Sequence, residues 1–219
     1  MTSSNDELWF RQEIIDTALA ISREGLSPGI SGNVSARHGK GMLITPTGMA
    51  YDALIPEDIV FMNENGEVSP GARKPSSEWR FHMAAYTARP GANAIIHAHS
   101  RFATALACAR KPIPAFHYMV AVAGGRDIPL AEYATFGTKA LADNVATVLK
   151  DRAACLMANH GQIACGASLE CALALARDVE VLAGQYVAVL QIGEPHILND
   201  EEMTRVLERF KNYGQPDDS

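Results

Sequence analysis

Between Asp6 and about Arg23, apolar residues fall at Leu8, Trp9, Ile14, Ile15, Ala18, Leu19 and Ile21, a helical spacing that Gly25 ends. The period then shortens. NVSAR and GMLIT read as two strands joined by the turn His38-Gly39-Lys40-Gly41, and DIVFMNENGEVSPG predicts a second hairpin about Asn65-Gly66. Trp79, Met83 and Tyr86 restore a helical spacing after Ser76 and Ser77, which predicts a serine-capped helix stopped by Pro90-Gly91. ANAIIHAH reads as a buried strand feeding a helix over Phe102 to Ala109, and AACLMANH as a second buried strand after a helix over Thr138 to Lys150. The longest helix runs from Leu169 to about Ile192 and the last from Asp200 to about Lys211. Hairpins mixed with helices, without a regular βαβ repeat, predict an α/β fold whose sheet is largely antiparallel and flanked by helices.

The chain has 219 residues with 47% hydrophobic content, enough for one sizeable core, and residues 1–219 are read as one domain. Its net charge of -6 includes no basic block that could track a nucleic-acid backbone, so nucleic acid is not an expected partner. MTSSNDELWFRQE lacks the basic start and apolar run of a signal peptide, and no apolar stretch is long enough to span a bilayer. The cytoplasm is the expected compartment. Cys108, Cys155, Cys165 and Cys171 form no CxxC pair and sit in apolar runs, which predicts reduced thiols.

The candidate chemistry lies in the histidines. Alternation along Ile95-Ile96-His97-Ala98-His99 puts both imidazoles on one strand face, within reach of one ion. His160 ends the apolar run CLMAN and precedes Gly161, which suits a side chain aimed from a sheet edge into a cleft. Three neutral imidazoles leave a coordination position open, as a catalytic zinc requires. Any one of these histidines alone reads as a satisfied core residue; His97 and His99 together are a costly way to fill a core without a ligand. Glu78 has two readings, a helix-dipole complement or a partner to the metal. His82, four residues on, shares its helix face, so a Glu78–His82 metal pair is a competing assignment.

Ser31-Gly32-Asn33, Thr45-Pro46-Thr47-Gly48 and Ser76-Ser77 offer backbone N–H groups to an anion without a dedicated lysine, although each is also an ordinary turn sequence. There is no GxxxxGK[ST] or GxGxxG loop and no GxSxG elbow, which removes the main sequence signs of a nucleotide grip and a serine hydrolase. Lys40, Lys74, Lys111, Lys139, Lys150 and Lys211 lie in polar or loop contexts, so a Schiff-base mechanism lacks a candidate.

In chain order, SGNVSAR, MLITPTG, KPSSEWRFHMAAY, AIIHAH, IPAFHYMVAVAGG, EYATFGT, ANHGQIACG and FKNYG make nearly the whole sequence resemble the class II aldolase/adducin family. The resemblance implies a three-layer α/β/α fold and a zinc ion on His97, His99 and His160, with manganese or cobalt left open by ligand type. It implies Glu78 as a further ligand that substrate displaces and that then acts as acid or base, its pKa raised by burial once off the metal. Gly32, Asn33, Thr47, Gly48, Ser76 and Ser77 would bind phosphate. Tyr118 would reach in from a neighbouring subunit of a fourfold homotetramer, and Phe136 and Tyr213 would shape the aldehyde end, with the C-terminal tail as a lid. Without the resemblance, Phe136 reads as core, Tyr118 as buried packing and Tyr213 as a helix end.

The implied activity is retro-aldol cleavage of a ketose 1-phosphate to dihydroxyacetone phosphate and an aldehyde. L-fuculose 1-phosphate, giving L-lactaldehyde, is the first candidate substrate, and 5-deoxyribulose or 5-methylthioribulose 1-phosphate the alternative. Pentulose-phosphate epimerisation and a non-catalytic, adducin-like assembly module are the remaining readings.

Overall fold

The computed structural model describes residues 4–211. Helix α1 spans Ser4–Arg23 and turns back where the Leu26 N–H donates to the Ile21 carbonyl (2.9 Å). Strands β1 (Asn33–His38) and β2 (Gly41–Ile44) form the expected hairpin, and β3 (Val60–Asn63) adds beyond β2. Helix α2 (Trp79–Ala88) leads to β4 (Ala94–Ala98), α3 (Arg101–Cys108), the two-residue β5 (Leu130–Ala131) and α4 (Lys139–Leu149). Strands β6 (Ala154–Met157) and β7 (Gly161–Gly166), then α5 (Leu169–Ile192) and α6 (Asp200–Phe210), complete the described chain.

The sheet order is β3-β2-β1-β4-β7-β6-β5, antiparallel throughout except for the parallel β5–β6 pair. Alternation splits its side chains between two cores. Val34, Ala36, Ile96, Ala98, Leu156 and Ala164 pack with α1, α3, α5 and α6 on one face. Met42, Ile44, Ile95, Met157 and Ile163 pack with Phe81 and Ala85 of α2 and Leu141 and Val145 of α4 on the other. The result is the expected three-layer α/β/α arrangement with a largely antiparallel sheet.

Most predicted helices fall within a residue or two of their observed limits. The second hairpin is reduced to one Met62–Val68 bridge, because the returning chain meets Pro70, which has no N–H for a ladder. Helix α2 begins one residue after Glu78, so Glu78 and not a serine occupies the cap position; the Ser76 hydroxyl accepts the Glu78 N–H (3.3 Å). Cys155 and Cys165 are buried, whereas Cys108 and Cys171 are exposed despite their apolar sequence neighbours, and all four are free thiols. Among the described residues no helix is long and apolar enough to cross a membrane.

Helix α3 starts directly behind the strand that carries two of the site's histidines. Its cap residue Ser100 makes no side-chain cap bond, since its buried hydroxyl accepts from Gln162 Nε2 (2.7 Å). Glu180 of α5 takes over that task, accepting from the N–H groups of Phe102 (2.8 Å) and Ala103 (3.0 Å). A negative side chain at a helix start satisfies otherwise unpaired donors and complements the dipole. Glu180→Ala is therefore expected to lower stability by about 1–2 kcal/mol. Urea unfolding of the two proteins checks this, and coincident curves would contradict it.

Candidate metal centre

On β4, Ile95 and His97 face α2 and α4 while Ile96 and Ala98 face the opposite core. His99 continues the His97 side just beyond the strand, where its N–H donates to the buried Ser27 hydroxyl (3.2 Å). His160 enters from the β6–β7 turn. The residue before it, Asn159, is held at φ 53° by a bond from Arg110 Nε (2.8 Å), and its own N–H bonds the Ala107 carbonyl (3.1 Å). After it, Gly161 lets β7 close on β4: a Cβ there would lie 2.5 Å from the Ala98 carbonyl oxygen and 2.8 Å from His99 Cδ2. A glycine is needed by that approach.

The three rings converge, with potential ligand atoms of His97, His99 and His160 all within 4.8 Å of one another. His97 Nδ1 donates to the Gln162 carbonyl (2.8 Å), so in the neutral ring Nε2 carries a lone pair. That lone pair sits 2.9 Å from His99 Nε2 and 3.1 Å from Glu78 Oε2. Glu78 Oε1 lies 3.0 Å from His160 Nε2 without a well-directed hydrogen bond. Three converging imidazoles and one carboxylate, with His97 oriented from behind by a carbonyl, are a donor set for a divalent cation.

Glu78 reaches this point because the start of α2 faces the end of β1. Asn33, directly opposite His97 in the sheet, donates its amide Nδ2 to Glu78 Oε2 (3.0 Å). Burial pushes the Glu78 carboxyl up, but the neighbouring His97 and His160 outweigh it and hold Glu78 below the usual carboxylate range. His99 is pushed down to about 4 by burial, with the charges of His97 and His160 adding.

The competing Glu78–His82 pair is overturned. Both His82 nitrogens are engaged away from the cluster, Nε2 with Asn33 Oδ1 (2.5 Å) and Nδ1 with Ser35 Oγ (2.7 Å), leaving no lone pair for an ion. Complete burial, helped by the charge of His97, pushes this ring down to about 3.

A cavity of about 400 Å³ opens on the cluster. Gly32, Asn33, Thr47, Gly48, Ser76, Ser77, Glu78, His99, His160 and Phe136 all line it. Two of the three candidate anion segments meet there because they pair: Thr47 N–H bonds the Lys74 carbonyl and Ser76 N–H the Thr45 carbonyl, each 3.0 Å, beside a Pro46–Pro75 bridge. None of the lining residues is Lys or Arg, so an anion entering it meets neutral donors and the metal site. Asn33 differs from the expectation, because its side-chain amide is already committed to Glu78 and His82.

Phe136 is 65% exposed at the cavity wall and is not core. Tyr118 is 50% exposed, stacks on His117 and is absent from the cavity lining, so it is not buried packing. Tyr213 lies outside the described residues. Sequence reasoning missed Tyr133 and Asn159 on the cavity wall and Ser27 and Gln162 behind the histidines. Only the buried polar residue inside the GQIACG strand signalled Gln162.

Residues 12–187 match the family model described as class II aldolase and adducin N-terminal domain, and the chain belongs to that family. Within it the chain sides with the aldolases. It is 54% identical to the L-fuculose phosphate aldolase of Escherichia coli O6:H1 over 93% of this chain and 94% of that one. It is 52% identical to a 5-methylthioribulose-1-phosphate/5-deoxyribulose-1-phosphate aldolase of Rhodospirillum rubrum over 93% and 92%. A solved L-fuculose 1-phosphate aldolase superposes with a TM-score of 0.89 at 44% identity, covering 96% of this chain and 98% of that one.

The two depressed histidines make stability depend on pH. An unfolded chain protonates each ring near the ordinary value of 6.5, the folded metal-free chain only near 3 for His82 and 4 for His99. Their contribution is complete above pH 6.5 and is lost as pH falls, by up to about 1.4 kcal/mol per pH unit for each ring. Urea unfolding of metal-free protein between pH 7.5 and 5 should show this slope, and His82→Gln should remove one ring's share. An unchanged slope in the variant would contradict the assignment.

Proposed function

We propose that this chain is a zinc-dependent lyase that cleaves a ketose 1-phosphate, first of all L-fuculose 1-phosphate, into dihydroxyacetone phosphate and an aldehyde. The observation that carries the reading is the His97 tautomer. Its Nδ1–H on the Gln162 carbonyl turns the Nε2 lone pair toward His99, His160 and Glu78, at the wall of a cavity whose anion-binding groups are neutral. When bound, the ion supplies Lewis acidity toward the ketose oxygens. His97, His99 and His160 would hold it, with Glu78 as a further ligand.

The phosphate is received by the loops of Gly32, Thr47, Gly48, Ser76 and Ser77, and by the backbone of Asn33. Loss of the C4 hydroxyl proton turns C4 into the aldehyde carbonyl as the C3–C4 bond breaks, and the electron pair left on C3 takes a proton. Glu78, at the cavity wall, delivers that proton to C3. Tyr118 takes the one from the C4 hydroxyl, exchange with solvent returns both groups to their starting states, and the 50% exposure of Tyr118 leaves it free to enter a second subunit's site. The working unit is then a homotetramer, placed in the cytoplasm, with each chain folded as one domain and with Phe136 and Tyr213 at the aldehyde end. The alternative substrates, 5-deoxyribulose and 5-methylthioribulose 1-phosphate, are favoured by the Rhodospirillum rubrum relative and need a change only at that end.

A coupled assay for dihydroxyacetone phosphate over L-fuculose, L-rhamnulose, 5-deoxyribulose and 5-methylthioribulose 1-phosphates tests the reading. L-fuculose 1-phosphate should give the highest kcat/KM, and release of triose phosphate from none of the four would refute it. Glu78→Gln should cost about 10²–10⁴-fold in kcat. Co-expressed Glu78→Gln and Tyr118→Phe chains should regain activity that neither variant has alone, because mixed oligomers rebuild intact sites. No regain would place both groups in one chain's site.

A further inference from the structure

The face of α2 that carries Glu78 continues through His82 and Tyr86 at four-residue intervals, and the face of β1 opposite it carries Asn33 and Ser35 two residues apart. The two ladders interlock through hydrogen bonds. Tyr86 OH meets Ser35 Oγ (2.9 Å), Ser35 Oγ meets His82 Nδ1 (2.7 Å), His82 Nε2 meets Asn33 Oδ1 (2.5 Å), and Asn33 Nδ2 meets Glu78 Oε2 (3.0 Å). All five side chains belong to residues less than a tenth exposed. Arg37, next on the same strand face, bonds the Tyr86 carbonyl (3.1 Å) and lies over its ring, closing the far end.

The direction of this chain of bonds is set at the Glu78 end. A carboxylate only accepts, so the Asn33 amide must present its NH₂ group to Glu78 and its oxygen to His82. His82 then carries its hydrogen on Nε2, and Nδ1 accepts from the Ser35 hydroxyl. With a flipped Asn33 two oxygens would face each other in a buried place, a costly arrangement. Among the described residues His82 is the one hydrogen-bond partner of Asn33 Oδ1, so it anchors the end of the amide that faces away from Glu78.

We propose that His82, backed by Ser35 and Tyr86, is a positioning residue that locks the Asn33 amide against Glu78, so that the carboxylate keeps one aim when the metal no longer holds it. The inference rests on the aldolase reading, in which Glu78 moves the proton at C3. It gives Asn33's side chain a task at the carboxylate in place of one at the phosphate. His82 does not line the cavity, and it acts only through Asn33.

The test uses the metal-loaded enzyme and dihydroxyacetone phosphate in D₂O, because exchange at C3 reports the Glu78 proton step without needing the aldehyde. His82→Leu should slow C3 deuteration, followed by NMR, by roughly 10²-fold, with metal content unchanged and KM for dihydroxyacetone phosphate within about threefold. His82→Gln, which can place an N–H where Nε2–H was, should recover most of the rate. Ser35→Ala should give an intermediate loss and serves as the deciding variant if His82→Leu does not fold. Wild-type exchange rates in His82→Leu or, failing that, in Ser35→Ala would overturn the proposal, as would equal losses in kcat and metal content in every variant. No exchange by the wild-type protein would instead sink the aldolase reading itself.

Discussion

Three imidazoles and one carboxylate converge on one point at the floor of the cavity, and the site's architecture is organised around making that tolerable. Burying so many polar groups together is costly unless each finds a partner. A cation converts the same groups into its ligands. The surrounding hydrogen bonds decide which atoms face inward: the Gln162 carbonyl takes the outer hydrogen of His97, Ser27 fixes the His99 backbone, and Asn33 aims Glu78.

The fold delivers these four groups from three separate stretches of chain. β4 supplies two histidines by alternation, the β6–β7 turn supplies the third across the sheet, and the start of α2 lowers Glu78 from the layer above. The sheet's central position for β4, between β1 and β7, explains why both neighbours reach the same point. The anion loops follow from the same layout, since Thr45 extends from β2 and pairs with Ser76 just before α2. The turn segments and the histidine cluster thus line one cavity, the layout that the proposed cleavage of a sugar phosphate requires.

Much of this was legible in the sequence, for reasons that differ by residue. His97 and His99 were readable because a two-residue period on a strand is a local fact, and the long helix over Leu169–Ile192 because its apolar residues persist for many turns. The two-residue β5 has too few positions for any period, and β7 is glycine-bounded and buried on both faces, so alternation does not mark it. His82 was placed on the correct helix face but given the wrong partner. The reason is not local: Asn33 and Ser35 come from a strand more than forty residues earlier, and only the packing of α2 on β1 reveals that both ring nitrogens are taken. Tyr118 and Phe136 read as interior residues by type, yet both are exposed, a choice that side-chain hydrophobicity alone does not disclose.

The central claim is that the inward-facing acceptors exist to hold one divalent ion. Metal analysis of the protein as purified and of His97→Ala, His99→Ala and His160→Ala variants tests it most directly. The account predicts one zinc per wild-type chain, with each substitution lowering metal affinity sharply while the helical circular dichroism persists. A folded wild-type protein that binds no divalent ion under saturating zinc, or variants that retain it undiminished, would contradict the account.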